Sequence, residues 1–154
     1  MSAFTNLLFH IIHSTKYREP TIRSEWQDDL YAYVGGIVRD QKGTLLKIGG
    51  VEDHVHLLAK LSPTIAISDV LRTPKSNSSK WINERSDVTR KFEWQSGYAA
   101  FSVSESQLPA VAEYTANQAE HHRKKTFQEE FLAILPKHHI EFDMRYVFEQ
   151  EFID

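Results

Sequence analysis

The sequence predicts an α+β fold, an antiparallel sheet with helices on one face and further helices added at the C-terminus. Three observations predict it. Short apolar, β-branched runs alternate with longer stretches whose apolar residues recur every three or four positions. Two extended runs follow each other across Gly49-Gly50, as in a β-hairpin. The chain has 154 residues, 41% of them hydrophobic and 25% charged, which suits a single domain over 1–154 with a sizeable core.

The first strand is expected over Asn6–Ser14, N-L-L-F-H-I-I-H-S, which polar residues end. A helix should start near Ser24, a good N-cap, and turn Trp26, Leu30, Tyr33, Val34 and Ile37 to the core, with Gly43 closing it or opening the next turn. Strands over Thr44–Ile48 and Val51–Leu61 make the hairpin, which Pro63 ends. A second helix from Ile65 to Glu84 should be interrupted at Thr73-Pro74, because proline disfavours helix in the residue before it. Residues 86–97 read as a loop and Tyr98–Val103 as a fourth strand. S-E-S-Q at Ser104 has the capping-box spacing for one helix over 105–125. A short amphipathic helix over Phe127–Leu135 and a tail bearing Ile140, Phe142, Tyr146, Val147 and Phe148 complete the chain. This order is close to a ferredoxin-like split βαβ arrangement, a fold that hosts many functions.

Composition narrows the chemistry. The chain has no cysteine, which excludes disulfides, thiolate zinc sites and a cysteine nucleophile, and fits a cytoplasmic protein. No apolar run approaches the roughly 18 residues of a membrane span, and the N-terminus lacks the pattern of a signal peptide. Net charge is −3, but residues 1–126 carry +2 and residues 127–154 carry −5. A mildly basic body with an acidic tail keeps phosphate binding open.

Three groups of residues could carry chemistry. Along a strand, His54 and His56 of D-H-V-H-L-L project from one face about 6–7 Å apart and can converge on a metal ion. They could equally be surface or hydrogen-bonded histidines. Tyr114, Gln118, His121 and His122 lie along one side of the helix expected over 105–125, with Val111, Ala112 and Ala119 opposite. A tyrosine in the core stripe is the alternative to a catalytic one. Arg123 and Lys124 suit either a helix C-terminus or a phosphate. Arg72, Lys75, Ser78 and Ser79 suit phosphate-backbone contacts or a solvated helix face. Phe92, Trp94 and Tyr98 suit base stacking or the core.

Taken together, G-G-V-E-D-H-V-H-L-L at Gly49–Leu58, K-x-x-S-S at Lys75–Ser79, G-Y-x-A-F-S-V-S at Gly97–Ser104 and Y-x-x-x-Q followed by H-H-R resemble one family. It is the single-tyrosine HUH transposases of small insertion sequences (the IS-two-hundred type), related to the REP-associated tyrosine transposases. The resemblance spans essentially the whole chain. It implies a ferredoxin-like or RRM-like core, a homodimer, and cleavage and rejoining of single-stranded DNA at hairpin-bearing element ends through a 5′-phosphotyrosine. On this sequence it implies His54, His56 and Gln118 as ligands of Mg²⁺ or Mn²⁺ and Tyr114 as nucleophile. His122 competes with Gln118 as third ligand. The family's dimer implies that Tyr114 of one subunit meets the histidine pair of the other. Two other readings fit the same residues: a metal-dependent phosphodiesterase using water, and a non-catalytic RRM-like module that binds single strands.

Overall fold

A computed structural model describes residues 1–85, 88 and 90–148. Its elements are β1 (Leu7–Ser14), a 3₁₀ turn at Lys16–Arg18, α1 (Ser24–Asp40), β2 (Thr44–Gly50), β3 (His54–Leu61), α2 (Ile67–Asn83), β4 (Ala99–Val103), a 3₁₀ turn at Glu105–Gln107, α3 (Leu108–Ala116), α4 (Gln118–His121) and α5 (Phe127–Lys137). The four strands form one sheet in the order β2-β3-β1-β4 with every neighbouring pair antiparallel. This is the α+β, split βαβ arrangement expected: β1-α1-β2 is the crossover unit, and β3 lies between its strands. Among the described residues no helix is long and apolar enough to cross a membrane.

Strand alternation sorts the side chains onto two faces. Ile11, Val55, Leu57, Ala59 and Leu61 join Trp26, Leu30, Val34 and Val38 of α1 and Val70, Leu71 and Ile82 of α2 in the larger core. On the opposite face, Ile12 and Phe101 pack under Phe127 and Leu135 of α5, with Val147 and Phe148 of the tail beside them. The register sets Ile12 opposite His56 and Ser14 opposite His54, which puts both histidines on this second face. There they are covered by the C-terminal helices. Ile140, Phe142 and Tyr146 stay exposed.

Several local expectations are corrected. Ser24 is the first residue of α1 rather than its cap; Arg23 holds that position with no capping side-chain bond. The two glycines lie within β2, paired with His56 and Val55, so the turn is residues 51–53. Gly49 is needed there because a Cβ would fall 1.9 Å from the Thr115 carbonyl oxygen of α3. Helix α2 runs through Pro74 unbroken. Proline removes the N–H that would bond the carbonyl four residues back. Here that carbonyl, Val70 O, accepts instead from Gln41 Nε2 at 2.9 Å, and Pro74 is buried.

The single helix over 105–125 is also corrected. Ser104 bonds to Ser106 Oγ rather than capping, and α3 begins at Leu108 with Pro109 in its first turn. Asn117, at φ −100° and ψ 28°, separates α3 from α4. Ala119 is exposed rather than packed. Of the loop expected over 86–97, residues 86, 87 and 89 lie outside the described residues, as do the acidic positions of the tail beyond 148.

Candidate active site

His54 and His56 stand on β3, both 0% exposed, and each ring is held by a partner on its Nδ1 side. Asp53 Oδ1 lies 2.6 Å from His54 Nδ1, and His10 Nε2 of β1 lies 2.8 Å from His56 Nδ1. Both Nε2 atoms therefore point toward the space under α3, α4 and α5. Gln118 enters that space from the start of α4, because its Nε2 donates to the Tyr114 carbonyl at 3.0 Å across the Asn117 break. Its Oε1 is thereby turned to 3.3 Å from His54 Nε2. Glu130 comes from the first turn of α5, whose start is fixed by Thr126 Oγ1 accepting from the Glu129 N–H. Its Oε1 lies 3.0 Å from His56 Nε2 and 3.6 Å from His54 Nε2.

These orientations put acceptors face to face. In the tautomer that gives its Nδ1–H to Asp53, His54 presents a lone pair at Nε2 toward the Gln118 and Glu130 oxygens, and acceptors converging in this way suit a cation. A ligand atom from each of His54, His122 and Glu130 also lies within 4.8 Å of the others. His122 Nε2 is 3.3 Å from Glu130 Oε2 but is not aligned for a hydrogen bond, so this buried nitrogen is also without one. The donor set of imidazole nitrogen, amide oxygen and carboxylate oxygen fits a divalent metal, and the Asp53–His54 pair is the outer-shell arrangement that orients a metal-binding histidine.

The Tyr114 hydroxyl donates to Glu130 Oε2 in a short hydrogen bond, with its ring edge-on to His56 and tilted 33° against His121 at a centroid distance of 4.5 Å. Tyr114, Gln118, His121 and His122 thus share one side despite the break. Burial, and then the bond to the Glu130 carboxylate, push the phenol's pKa upward. Burial also favours the neutral form of Glu130, but the His56 and Tyr114 hydrogen bonds outweigh it and hold the carboxyl at about 2. Burial lowers His56 to about 4 against the pull of Glu130, and lowers His10 to about 3. Both imidazoles are neutral at pH 7, the form that ligates metals.

The basic candidates fall in two places. Arg123 and Lys124 line a cavity of about 320 Å³ that also reaches His122 and Asp53. Arg72, Lys75 and Ser79 line a larger cleft, about 790 Å³, between α2 and the 91–98 segment, with Phe92, Trp94 and Tyr98. Ser78 is corrected: it is buried, and its hydroxyl accepts from Trp94 Nε1 at 2.9 Å, which takes it out of the cleft lining. Lys75 Nζ donates to the carbonyls of Ser96 and Gly97 at 3.3 and 3.1 Å and so ties the loop to α2.

Sequence reasoning did not single out Glu130, Asp53 or His10. Glu130 had a usable signal, an acid within the apolar stripe Phe127, Phe131, Ile134 and Leu135. His10 had none, because only strand register places it beside His56.

Residues 3–118 match the family model described as "Transposase IS200 like". The chain belongs to this family. It is 25% identical over 117 residues to the ISDra2 transposase TnpA of Deinococcus radiodurans, covering 73% of this chain and 84% of that protein. Its fold is similar to a crystal structure described as a transposase from Deinococcus radiodurans, with TM-score 0.62 and 24% identity, over 77% of this chain and 95% of that one. It is also similar to a REP-associated tyrosine transposase bound to a REP hairpin, with TM-score 0.56 and 12% identity, over 75% and 70% of the two chains. The IS200-like match ends at Gln118, so Tyr114 and Gln118 fall inside it, whereas His122 and Glu130 lie beyond. In this transposase Tyr114 lies edge-on to His56 of the same chain, and α3 packs on β2 at Gly49.

Proposed function

We propose that this transposase cleaves and rejoins single-stranded DNA at the ends of its element, with Tyr114 as nucleophile beside a divalent metal held by His54, His56 and Gln118. The observation that supports it is the approach of Gln118 Oε1 to 3.3 Å and Glu130 Oε1 to 3.6 Å from His54 Nε2, with the Tyr114 hydroxyl bonded to the same Glu130 carboxylate. A divalent ion, Mg²⁺ or Mn²⁺, supplies charge neutralisation at a phosphate oxygen in such a site. Tyr114 Oη attacks the phosphorus, and the bond from phosphorus to the 3′-oxygen breaks. The products are a 5′-phosphotyrosine and a free 3′-hydroxyl, which takes up the proton given up by the phenol. Because the phosphodiester energy is kept in the tyrosyl ester, a second 3′-hydroxyl can reverse the step and join strands without a nucleotide cofactor.

The substrate we infer is a strand folded into a hairpin, the kind of DNA named for the REP-associated relative. Arg123 and Lys124, on the cavity that reaches His122, suit the phosphates next to the cut, and Arg72, Lys75 and Ser79 suit those in the α2 cleft. A homodimer belongs to the same proposal. The site as it stands draws all its residues from one chain, and a dimer that exchanged α3 would present the same residues in trans.

The test is incubation with hairpin-bearing single-stranded oligonucleotides and Mn²⁺, followed by denaturing electrophoresis. The expected result is a covalent protein–DNA band that disappears in Tyr114→Phe while the circular dichroism spectrum is unchanged. Metal-dependent cutting without that band would make water the nucleophile and Tyr114 a packing residue. Binding without cutting would leave the non-catalytic reading.

A further inference from the structure

We propose that Glu130 ties the metal site to the nucleophile: one carboxylate oxygen completes the ligand set while the other holds the Tyr114 hydroxyl, so that occupancy of the site sets the position of the phenol. This rests on the metal reading above and adds to it a residue that lies beyond the region matched to the family.

The two oxygens of Glu130 do different things. Oε1 faces His56 Nε2 and His54 Nε2, the atoms assigned to the metal. Oε2 receives the Tyr114 hydroxyl and lies 3.3 Å from His122 Nε2. Glu130 is 5% exposed, and its ion-pair partners are imidazoles. A buried carboxylate carries a charge that needs a partner, and a cation at this site supplies one. The carboxylate is also held in place. Thr126 caps α5, and Phe127 and Leu135 anchor the helix in the second core.

Ligand chemistry points the same way. Two imidazoles and an amide oxygen are all neutral, and imidazoles by themselves favour the later transition metals. A carboxylate oxygen adds the negative charge and hard donor that Mg²⁺ and Mn²⁺ prefer. A cation at His56 Nε2 requires that no proton bridge this nitrogen and Glu130 Oε1, 3.0 Å away. His10 permits this, because neutral His56 can carry its proton on Nδ1 and donate it to His10 Nε2 instead. Glu130 Oε1 then faces the bound ion, and any turn of the carboxylate is felt at Oε2 by Tyr114. Glu130 is thus a positioning residue for Tyr114 and a ligand candidate in its own right.

The test has two readouts that need no DNA. Calorimetry with Mn²⁺ compares wild type, His54→Ala, Glu130→Gln and Tyr114→Phe. Glu130→Gln should weaken Mn²⁺ binding at least about tenfold. Coupling is reciprocal, so removing the hydroxyl that draws charge from Oε2 should tighten Mn²⁺ binding about fivefold in Tyr114→Phe, and the Glu130→Gln background should abolish that change. NMR of protein labelled at tyrosine Cζ supplies the second readout, with Tyr114 assigned by its loss in Tyr114→Phe. Saturating Mg²⁺ should shift this resonance in wild type and leave it in place in Glu130→Gln. If Glu130→Gln does not fold, the Tyr114→Phe affinity and the wild-type resonance still decide. Wild-type affinity in both Glu130→Gln and Tyr114→Phe, or an unmoved Tyr114 resonance, overturns the coupling and leaves the metal reading intact provided His54→Ala loses the ion. If His54→Ala binds Mn²⁺ as wild type does, the metal reading itself falls and this inference with it.

Discussion

A buried histidine does little until something fixes which nitrogen carries its proton. Asp53 does that for His54, with its Oδ1 2.6 Å from Nδ1, and so turns Nε2 into a donor of electrons toward Gln118 and Glu130. Removing this carboxylate in Asp53→Ala should weaken Mn²⁺ binding about 10- to 100-fold, as loss of an outer-shell partner does elsewhere. Calorimetry that finds no change would show that packing alone orients the ring. His13, on the other face of the sheet, has a different fate. It is buried edge-on against Trp94 with its Nδ1 unbonded, and burial, then the charge of Lys75, lower its pKa to about 3. The unfolded chain protonates this histidine near pH 6.5 while the folded chain keeps it neutral. Its contribution is therefore complete above that pH and is lost progressively as pH falls toward about 3, with a slope approaching about 1.4 kcal/mol per pH unit. Urea midpoints at pH 7 and at about pH 5 should drop less in His13→Gln than in wild type. Equal drops would assign the acid sensitivity elsewhere.

At the scale of elements, the instructive case is α2, where a local rule is broken and then repaired from a distance. Pro74 leaves the Val70 carbonyl without its helical partner, and Gln41, just past the end of α1, supplies one. Gln41→Ala should destabilise the protein by about 1 kcal/mol, the net worth of a hydrogen bond whose loss leaves a carbonyl unsatisfied. In a Pro74→Ala background residue 74 has an N–H to offer Val70, and the cost of Gln41→Ala should shrink toward zero. A double-mutant cycle by urea denaturation measures this coupling, and additive effects would separate Gln41 from the proline. The break at Asn117 works in the opposite sense. It cuts one expected helix into α3 and α4, and Gln118 then reaches back to the Tyr114 carbonyl, which locks ligand and nucleophile candidates together.

At the scale of the whole molecule, the packing of α3 brings Tyr114 and Gln118 beside the histidines and Glu130 of the same chain. Helix α3 presses on β2 where Gly49 has no side chain, and the contact leaves no room for so much as a methyl group. The family resemblance implied the other arrangement, with Tyr114 donated across a dimer. Mixing His56→Ala with Tyr114→Phe chains under conditions of subunit exchange discriminates the two. With the packing seen here, each heterodimer site carries one defect, and the mixture should form no more adduct than its parents. Exchange of α3 would give each heterodimer one intact site. Half the dimers are heterodimers at equal mixing, so about a quarter of wild-type site activity would then return. Recovery at that level, with heterodimers confirmed by mass, would show that α3 leaves Gly49 in the working assembly.

The sequence by itself determined the succession of strands and helices, the face shared by His54 and His56, and the side shared by Tyr114, Gln118 and His122. Each depends on a local period, two residues along a strand or three to four along a helix. Resemblance supplied the pairing of histidines with tyrosine, because the two motifs are recognisable together although nothing local links them. The remainder was decided by tertiary structure. His10 reaches His56 only through the register of β1 on β3. Pro74 is tolerated only because α1 ends beside α2, and Ser78 is withdrawn from solvent only because Trp94 lies over it. Glu130 enters the site because α5 folds back across the second face of the sheet, a contact between residues 74 apart in the chain. Local periodicity carries no information at that separation, since the contact depends on how two buried apolar faces pack, and that packing exists only in the assembled fold.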